Sequence, residues 1–349
     1  MKKTYLILLV SALTFVAQGK VSIPCKSNPT GREWEDHTKI HCGKEKPTAA
    51  FASFESVEAA KAIRPEFCSR RLLLDSETEW RFNWCRRPEE RPVDFYKPDF
   101  DVSDWDVVKV PCSWQAIGIN KAQKPYERPY YTNAHWPFVA KFPANSNCWP
   151  RVRGHRLPDG YTWNPDDNSV GSYRRDFEIP QDWAGDEIFL EFGAVDSFFY
   201  LWINGEYVGF SKSSRDPARF NITRYAKCGK NTVALEVYRF SDASYLEAQD
   251  MLLLSGITRS VWVYHVPKTH ISDVFFTTVP AAKGIYAGDW NLNLDIDLEG
   301  TDPCSLDVRV FDSDDNEVSY SGTVGRKASL RFTRPALWSA EIPNLYTLV

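Results

Sequence analysis

Phe198-Phe199-Tyr200-Leu201-Trp202-Ile203-Asn204-Gly205-Glu206-Tyr207-Val208-Gly209-Phe210-Ser211 sets two apolar runs on either side of Asn-Gly. Both turn residues tolerate positive φ, which makes this the strongest short-range signal for a β-hairpin. Runs of the same strand-like length lie upstream at 172–179 and 187–192 and downstream at 232–238 and 261–266. Further upstream, Glu79-Trp80-Arg81-Phe82-Asn83-Trp84 alternates with period two and puts Trp80, Phe82 and Trp84 on one face, the pattern of a half-buried strand. Residues 107–111 predict another short strand. Many short strands separated by turn residues imply an all-β fold, a jelly-roll β-sandwich over residues 72–268.

A second all-β unit is predicted over residues 269–349. Trp290-Asn291-Leu292-Asn293-Leu294-Asp295-Ile296-Asp297-Leu298 alternates almost perfectly, 305–311 does the same, and Asp315-Asn316 marks a turn. This pattern predicts an immunoglobulin-like β-sandwich, incomplete because the chain stops inside a strand-like stretch at 345–349. At the other end, residues 1–19 have the form of a secretory signal peptide: Lys2-Lys3, an apolar core over 5–16, and Ala17-Gln18-Gly19 before the cut. That apolar run is shorter than the roughly 20 residues needed to span a bilayer, so no membrane span is expected. Export across an inner membrane, to a periplasm, is the expected location. Residues 20–71 are polar and weakly patterned, apart from a helix-like piece at 56–63 that Ser56 can cap, and predict an extended arm lying across a larger body.

Composition narrows the function classes. The 349 residues carry a net charge of -4, without the basic stripe that releases counterions from a nucleic acid, so nucleic acid is excluded as a partner. Aromatic residues make up 14%, with 13 Trp, a level typical of β-rich folds with broad aromatic surfaces, carbohydrate binders among them. Eight cysteines are scattered at 25, 42, 68, 85, 112, 148, 228 and 304 with no CxxC spacing, which implies neither a zinc ribbon nor a compact disulfide framework. His37, His41 and Cys42 lack a further ligand nearby and read as polar surface rather than as a metal site.

Two stretches break the strand pattern. Residues 112–168 are rich in Pro, Asn, Trp and Tyr without sustained period, and loops beyond roughly 12–15 residues are generally functional or disordered. Residues 239–259, Arg239-Phe240-Ser241-Asp242-Ala243-Ser244-Tyr245-Leu246-Glu247-Ala248-Gln249-Asp250-Met251 and on to Arg259, concentrate three carboxylates between two strands. Loops held on a rigid sheet scaffold are where binding groups concentrate. On residue chemistry alone, Asp242 reads as the opening of an Asx-turn, and Glu247 and Asp250 as acceptors for backbone N–H groups.

These stretches resemble the amino-terminal domains of the glycoside hydrolase family 2 β-galactosidases. The resemblance runs in order through Glu33-Trp34-Glu35, Val110-Pro111 to Trp114, Tyr131-Thr132-Asn133, Gly171-Ser172-Tyr173-Arg174, and Asp196-Ser197 to Asn204-Gly205. It continues through Val208-Gly209-Phe210-Ser211, Ser214-Arg215, Ser241-Asp242 to Ser255-Gly256-Ile257, Leu337-Trp338-Ser339-Ala340-Glu341 and Pro343-Asn344-Leu345-Tyr346. It implies a jelly roll, an immunoglobulin-like domain and, in the family, a catalytic barrel beyond them. Asn133 matches an asparagine reaching into the galactose pocket, and Asp242 an aspartate that contacts the sugar and, in some members, a sodium ion. An ionised Asp and an Asn amide suit sugar hydroxyls, which need paired acceptors and donors. Tyr131 and Trp136 are candidates to stack on the apolar face of a pyranose. Trp202, on an alternating strand, reads as core.

In that family the two catalytic glutamates and the magnesium ligands come from the barrel, and a barrel needs about 200–250 residues or more. This chain is therefore expected to be non-catalytic alone and to need no cofactor of its own. A barrel-bearing polypeptide or a second copy is the expected partner, and a β-galactoside the expected ligand. The other readings are a stand-alone carbohydrate-binding module or an inactive relic. Ala243, Ala248, Leu252-Leu253, Arg219 and Asn221 depart from the family pattern, and the loss of acidic residues among them predicts unpaired charge.

Overall fold

A computed structural model of the chain describes residues 15–16, 25, 28–62, 68–117, 126–127, 129–132, 168–247, 250–281 and 288–349. Two compact units emerge, one of Ser22–Pro47 with Arg71–His265, the other built mainly of Thr48–Arg70 and Val266–Val349.

The larger unit is a sandwich of a seven-stranded and a four-stranded sheet. The large sheet runs in the order His41–Cys42, Glu206–Ser211, Phe198–Ile203, Gly229–Tyr238, Val170–Ile179, Ser76–Cys85, Asp106–Val110. Its partner runs Ala218–Asn221, Glu187–Phe192, Val261–Val266, Arg71–Leu73. The Asn-Gly hairpin stands where the sequence puts it: Asn204 and Gly205 both have positive φ, 52° and 87°, and Ile203 faces Glu206. This turn matches the natural twist of the two strands.

Alternation along Phe198–Ile203 then decides the layers. Phe199, Leu201 and Ile203 pack between the sheets with Trp80, Phe82, Leu190 and Val263. Phe198, Tyr200 and Trp202 point the other way, into a second apolar layer with Trp34, Phe95, Trp105 and Tyr238. The strand is therefore buried on both faces, which is why it is an unbroken apolar run. Trp202 is core, its ring stacked on Tyr96 with centroids 4.8 Å apart.

The outer layer is closed in part by the amino-terminal arm. Trp34 lies in a three-residue helical turn, Glu33–Glu35, and its ring stacks on Tyr238 at 5.5 Å. The neighbouring Glu33 is buried and accepts the Tyr200 hydroxyl at 2.5 Å. Burial alone would raise the Glu33 carboxyl, but bonds from Tyr200 and from the Thr30 N–H and hydroxyl outweigh it and hold the group below the usual carboxylate range. Further along, His41–Cys42 adds an antiparallel edge strand to Glu206–Ser211. The approach is close enough that a Cβ on Gly209 would sit 2.0 Å from the Cys42 carbonyl oxygen, so only glycine fits there.

Cys42 is also bridged to Cys25. The scattered cysteines gave no sign of a pair, because the bridge depends on where the arm docks, which spacing does not encode.

In the smaller unit, the sheet His270–Pro280, Asp289–Glu299, Lys327–Thr333 and the sheet Glu317–Val324, Leu306–Phe311, Thr347–Leu348 make up a two-sheet sandwich. Leu292, Leu294, Ile296 and Leu298, the apolar half of the predicted alternation, face Leu306, Val308 and Val310 in its core. The short helix Val57–Ala62 forms beside this sandwich, with the Ala59 N–H donating to the Ser56 hydroxyl at 3.1 Å as capping requires. The arm is thus divided between the two units rather than being one extended piece. No helix among the described residues is long and apolar enough to cross a membrane.

The bridge closes a loop with a sequence separation of 17 residues. Closing a loop of that length stabilises a fold by about 3 kcal/mol. Reduction of the native chain is expected to lower the thermal midpoint of the larger sandwich by about 6–12 °C. A scanning-calorimetry midpoint that ignores reductant would count against this role for the bridge.

Candidate functional site

Residues 239–259 are clamped at both ends by side-chain amides. At the first end the Asn168 amide bonds both backbone groups of Phe240, donating to its carbonyl and accepting its N–H, each at 2.8 Å. At the other the Gln115 side-chain carbonyl accepts the Ser255 N–H at 2.9 Å, and the Trp114 N–H donates to the Ser255 carbonyl at 3.0 Å. Both amides come from the two ends of the long aperiodic stretch 112–168. Each satisfies backbone groups that a buried loop would otherwise leave unpaired.

Between the clamps the chain is more regular than its sequence suggests. Ser244–Glu247 makes one helical turn, with the Ser241 N–H donating to the Ser244 hydroxyl at 3.1 Å. Asp250, at φ 52°, turns the chain into the strand Met251–Leu253. That strand pairs antiparallel with Tyr130–Thr132. The sequence gives no hint of this pairing because the two strands lie far apart in the chain and each is only three residues long.

The carboxylates of the loop have separate surroundings. Glu247 is fully engaged: Oε1 accepts the Ser214 N–H at 3.0 Å and Oε2 the Ser214 hydroxyl at 2.5 Å. It braces the loop against residues 213–215, as its residue chemistry suggested. Asp250 accepts the hydroxyl of Tyr131, which is 54% exposed. Asp242 is fixed twice. Its N–H donates to the Trp34 carbonyl at 2.9 Å, and its Oδ1 accepts Lys212 Nζ at 2.6 Å. The same ammonium donates to the Asp36 carbonyl at 2.8 Å. Lys212 is buried to 4% side-chain exposure, whereas the Asp242 side chain keeps 20%. Asp242 therefore presents a carboxylate whose orientation is set from behind and whose remaining oxygen has solvent access.

Next to the helical turn lies a small cleft lined by Asp196, Arg215, Arg239, Ser244 and Glu247 with the apolar wall Leu252, Leu253 and Leu254. Arg239 pairs with Glu127 and donates to the Leu253 carbonyl at 3.3 Å. Burial pushes the Asp196 carboxyl up to about 7; Arg215, 3.5 Å away, opposes the shift and Glu247 adds to it. A raised acid beside a second carboxylate has the look of a glycosidase pair. The hydrogen bonds argue otherwise, because both Glu247 oxygens are spent on Ser214. The pair is a brace.

Of the site residues predicted from sequence, Asp242 and Tyr131 are placed on adjoining parts of one structure, since the Tyr131 strand pairs with the loop that carries Asp242. Asn133 and Trp136 lie outside the described residues. Lys212 and Asp196 were not singled out. A lysine just past a strand is usually solvated, and only the docked arm reveals that this one is enclosed.

Comparison with known proteins fits this arrangement. Residues 157–267 match the family described as Glycosyl hydrolases family 2, sugar binding domain, and residues 269–349 match Glycosyl hydrolases family 2. The chain belongs to glycoside hydrolase family 2. Among family 2 relatives, a β-galactosidase of Priestia megaterium is 34% identical over 332 residues, 91% of this chain and 30% of that protein. A β-galactosidase large subunit of Leuconostoc lactis is 33% identical, over 80% of this chain and 43% of that protein. The chain thus spans less than half the length of these curated relatives. In three dimensions it is similar to a β-glucuronidase of an uncultured Clostridium, with TM-score 0.57 and 17% identity, covering 86% of this chain and 44% of that one. At that identity the likeness is one of fold.

Two of the departures from the family 2 pattern, Asn221 and Arg219, make local contacts. Asn221 donates to Glu187 at 3.1 Å and accepts the Thr223 hydroxyl at 2.6 Å. Arg219 lies over the Phe189 ring and donates to the Lys46 carbonyl at 3.4 Å.

The raised Asp196 carboxyl has a sign. Because the folded state holds its proton up to about pH 7 while an unfolded aspartate releases it near 4, this group's contribution to stability is present at low pH and is lost as pH rises through about 7. Asp196→Asn should flatten the fall in thermal midpoint between about pH 4 and 7. An unchanged slope would show that Asp196 is not the titrating group.

Proposed function

We propose that the chain forms the non-catalytic, sugar-contacting wall of a β-galactosidase site, exported across the inner membrane to a periplasm. Hydrolysis of terminal β-galactosides then belongs to a barrel that packs against it. The observation that carries this reading is Asp242: a carboxylate on the sandwich rim, anchored by the Trp34 carbonyl and by Lys212, with one oxygen still open to a ligand. An ionised carboxylate held in place accepts hydroxyl protons of a sugar at little ordering cost. Support also comes from the β-galactosidases among the relatives. The Cys25–Cys42 bridge favours export, since such bridges persist in oxidising compartments.

Retaining hydrolysis needs two free carboxyl groups about 5–5.5 Å apart. Glu247 holds Ser214 through both oxygens and Asp250 holds Tyr131 through Oδ1, so both carboxylates serve to fix the loop. The chain by itself is a binder. Half a pocket makes few contacts, so the affinity is weak.

Titration calorimetry of this chain with a β-galactoside is expected to give a dissociation constant in the millimolar range, equivalent to about -4 kcal/mol. Asp242→Ala should weaken it at least about tenfold, the worth of one hydrogen bond to a charged group. No heat at high millimolar sugar, or binding that Asp242→Ala leaves intact, would overturn the proposal.

A further inference from the structure

The Asp242 carboxylate carries a second inference. The resemblance described above brings a sodium ion to this aspartate, and the surroundings of Asp242 speak to whether this chain would hold one. A monovalent metal ion beside a carboxylate is bound by oxygens: the carboxylate itself, backbone carbonyls and water. Here the carboxylate Oδ1 and the Asp36 carbonyl oxygen converge on one point, and that point is the Lys212 ammonium, 2.6 Å from the first and 2.8 Å from the second. The donor set fits a monovalent cation, and the cation is covalently attached.

We infer that Lys212 replaces a metal cation at Asp242, so that this site is independent of sodium. Lys212 reaches the position from the end of the strand Glu206–Ser211, the hairpin strand whose edge the arm covers. Its side chain is 4% exposed, so the ammonium is confined and not one pose of a mobile surface lysine. A buried ammonium requires a counter-charge and hydrogen-bond acceptors, and Asp242 and Asp36 supply them. A sodium ion at that same point would meet a like charge and would compete for Oδ1 and the Asp36 carbonyl, both already engaged. The ammonium also orients the carboxylate, which a metal ion would do in its place. The pair is therefore pre-set without any dependence on the ionic composition outside the cell.

This inference concerns the carboxylate used in the proposed sugar contact, and rests on that reading only for its bearing on sugar. Its test uses no sugar, so the two can fail separately. Thermal midpoints of this chain are measured at constant ionic strength as sodium chloride replaces choline chloride. The native chain should show no saturable change. Lys212→Met removes the ammonium and leaves Asp242 and the Asp36 carbonyl facing each other's cation position; sodium should then raise the midpoint saturably, and choline should not. If the methionine variant does not fold, Lys212→Gln serves instead, and the native chain remains decisive by itself. A saturable sodium rise in the native chain that Asp242→Asn abolishes overturns the inference. A lysine-free variant that folds and ignores sodium overturns it too, since the oxygens would then not form a cation site.

Discussion

Two backbone carbonyls of the amino-terminal arm hold the candidate site together. The Trp34 carbonyl accepts the Asp242 N–H, and the Asp36 carbonyl accepts the Lys212 ammonium that in turn pairs with Asp242. A loop, the lysine just past the strand Glu206–Ser211 and the arm meet at one point, and removing the arm would leave both the amide and the ammonium short of an acceptor. The arm is held in turn by Trp34 stacked on Tyr238, by the Glu33 carboxylate buried under Tyr200 and by an added edge strand, and a disulfide closes a loop within it. What looks peripheral in the sequence is structurally central.

The same economy governs the other buried charges. Glu236, in the outer layer of the large sheet, is paired with Arg91 at 3.0 Å and accepts the Tyr238 hydroxyl at 2.8 Å. Burial still raises its carboxyl above the usual range despite Arg91. Asp196 is raised for the same reason, while Glu33, with more donors around it, is lowered. The difference lies in hydrogen-bond supply rather than in depth alone. These groups fix the sheet face and its loops in one arrangement. A carboxylate on the rim can then be presented without reorganisation.

Much of the fold was legible because it depends on local pattern. The Asn-Gly hairpin, the strands Glu187–Phe192 and Val261–Val266, and the alternating strand Asp289–Glu299 follow from period-two apolar spacing and turn chemistry. The short strands Tyr130–Thr132 and Ala218–Asn221 were missed, since three or four residues carry too little pattern and gain their identity from remote partners. The candidate site was legible in part. Asp242 and Tyr131 were found through a resemblance rather than through spacing, and the braces Asn168, Gln115 and Ser214 are ordinary polar residues whose roles arise only from packing. Lys212 was invisible for the same reason, and the Cys25–Cys42 pair because spacing says nothing of docking.

The central claim is that the docked arm builds the loop that bears Asp242. Hydrogen–deuterium exchange on the native chain and on Trp34→Ala tests it directly. The account predicts that amides of residues 242–247 lose protection in the variant while those of the central strand Gly229–Tyr238 keep theirs. Unchanged protection over 242–247 in a variant whose arm exchanges freely would contradict it.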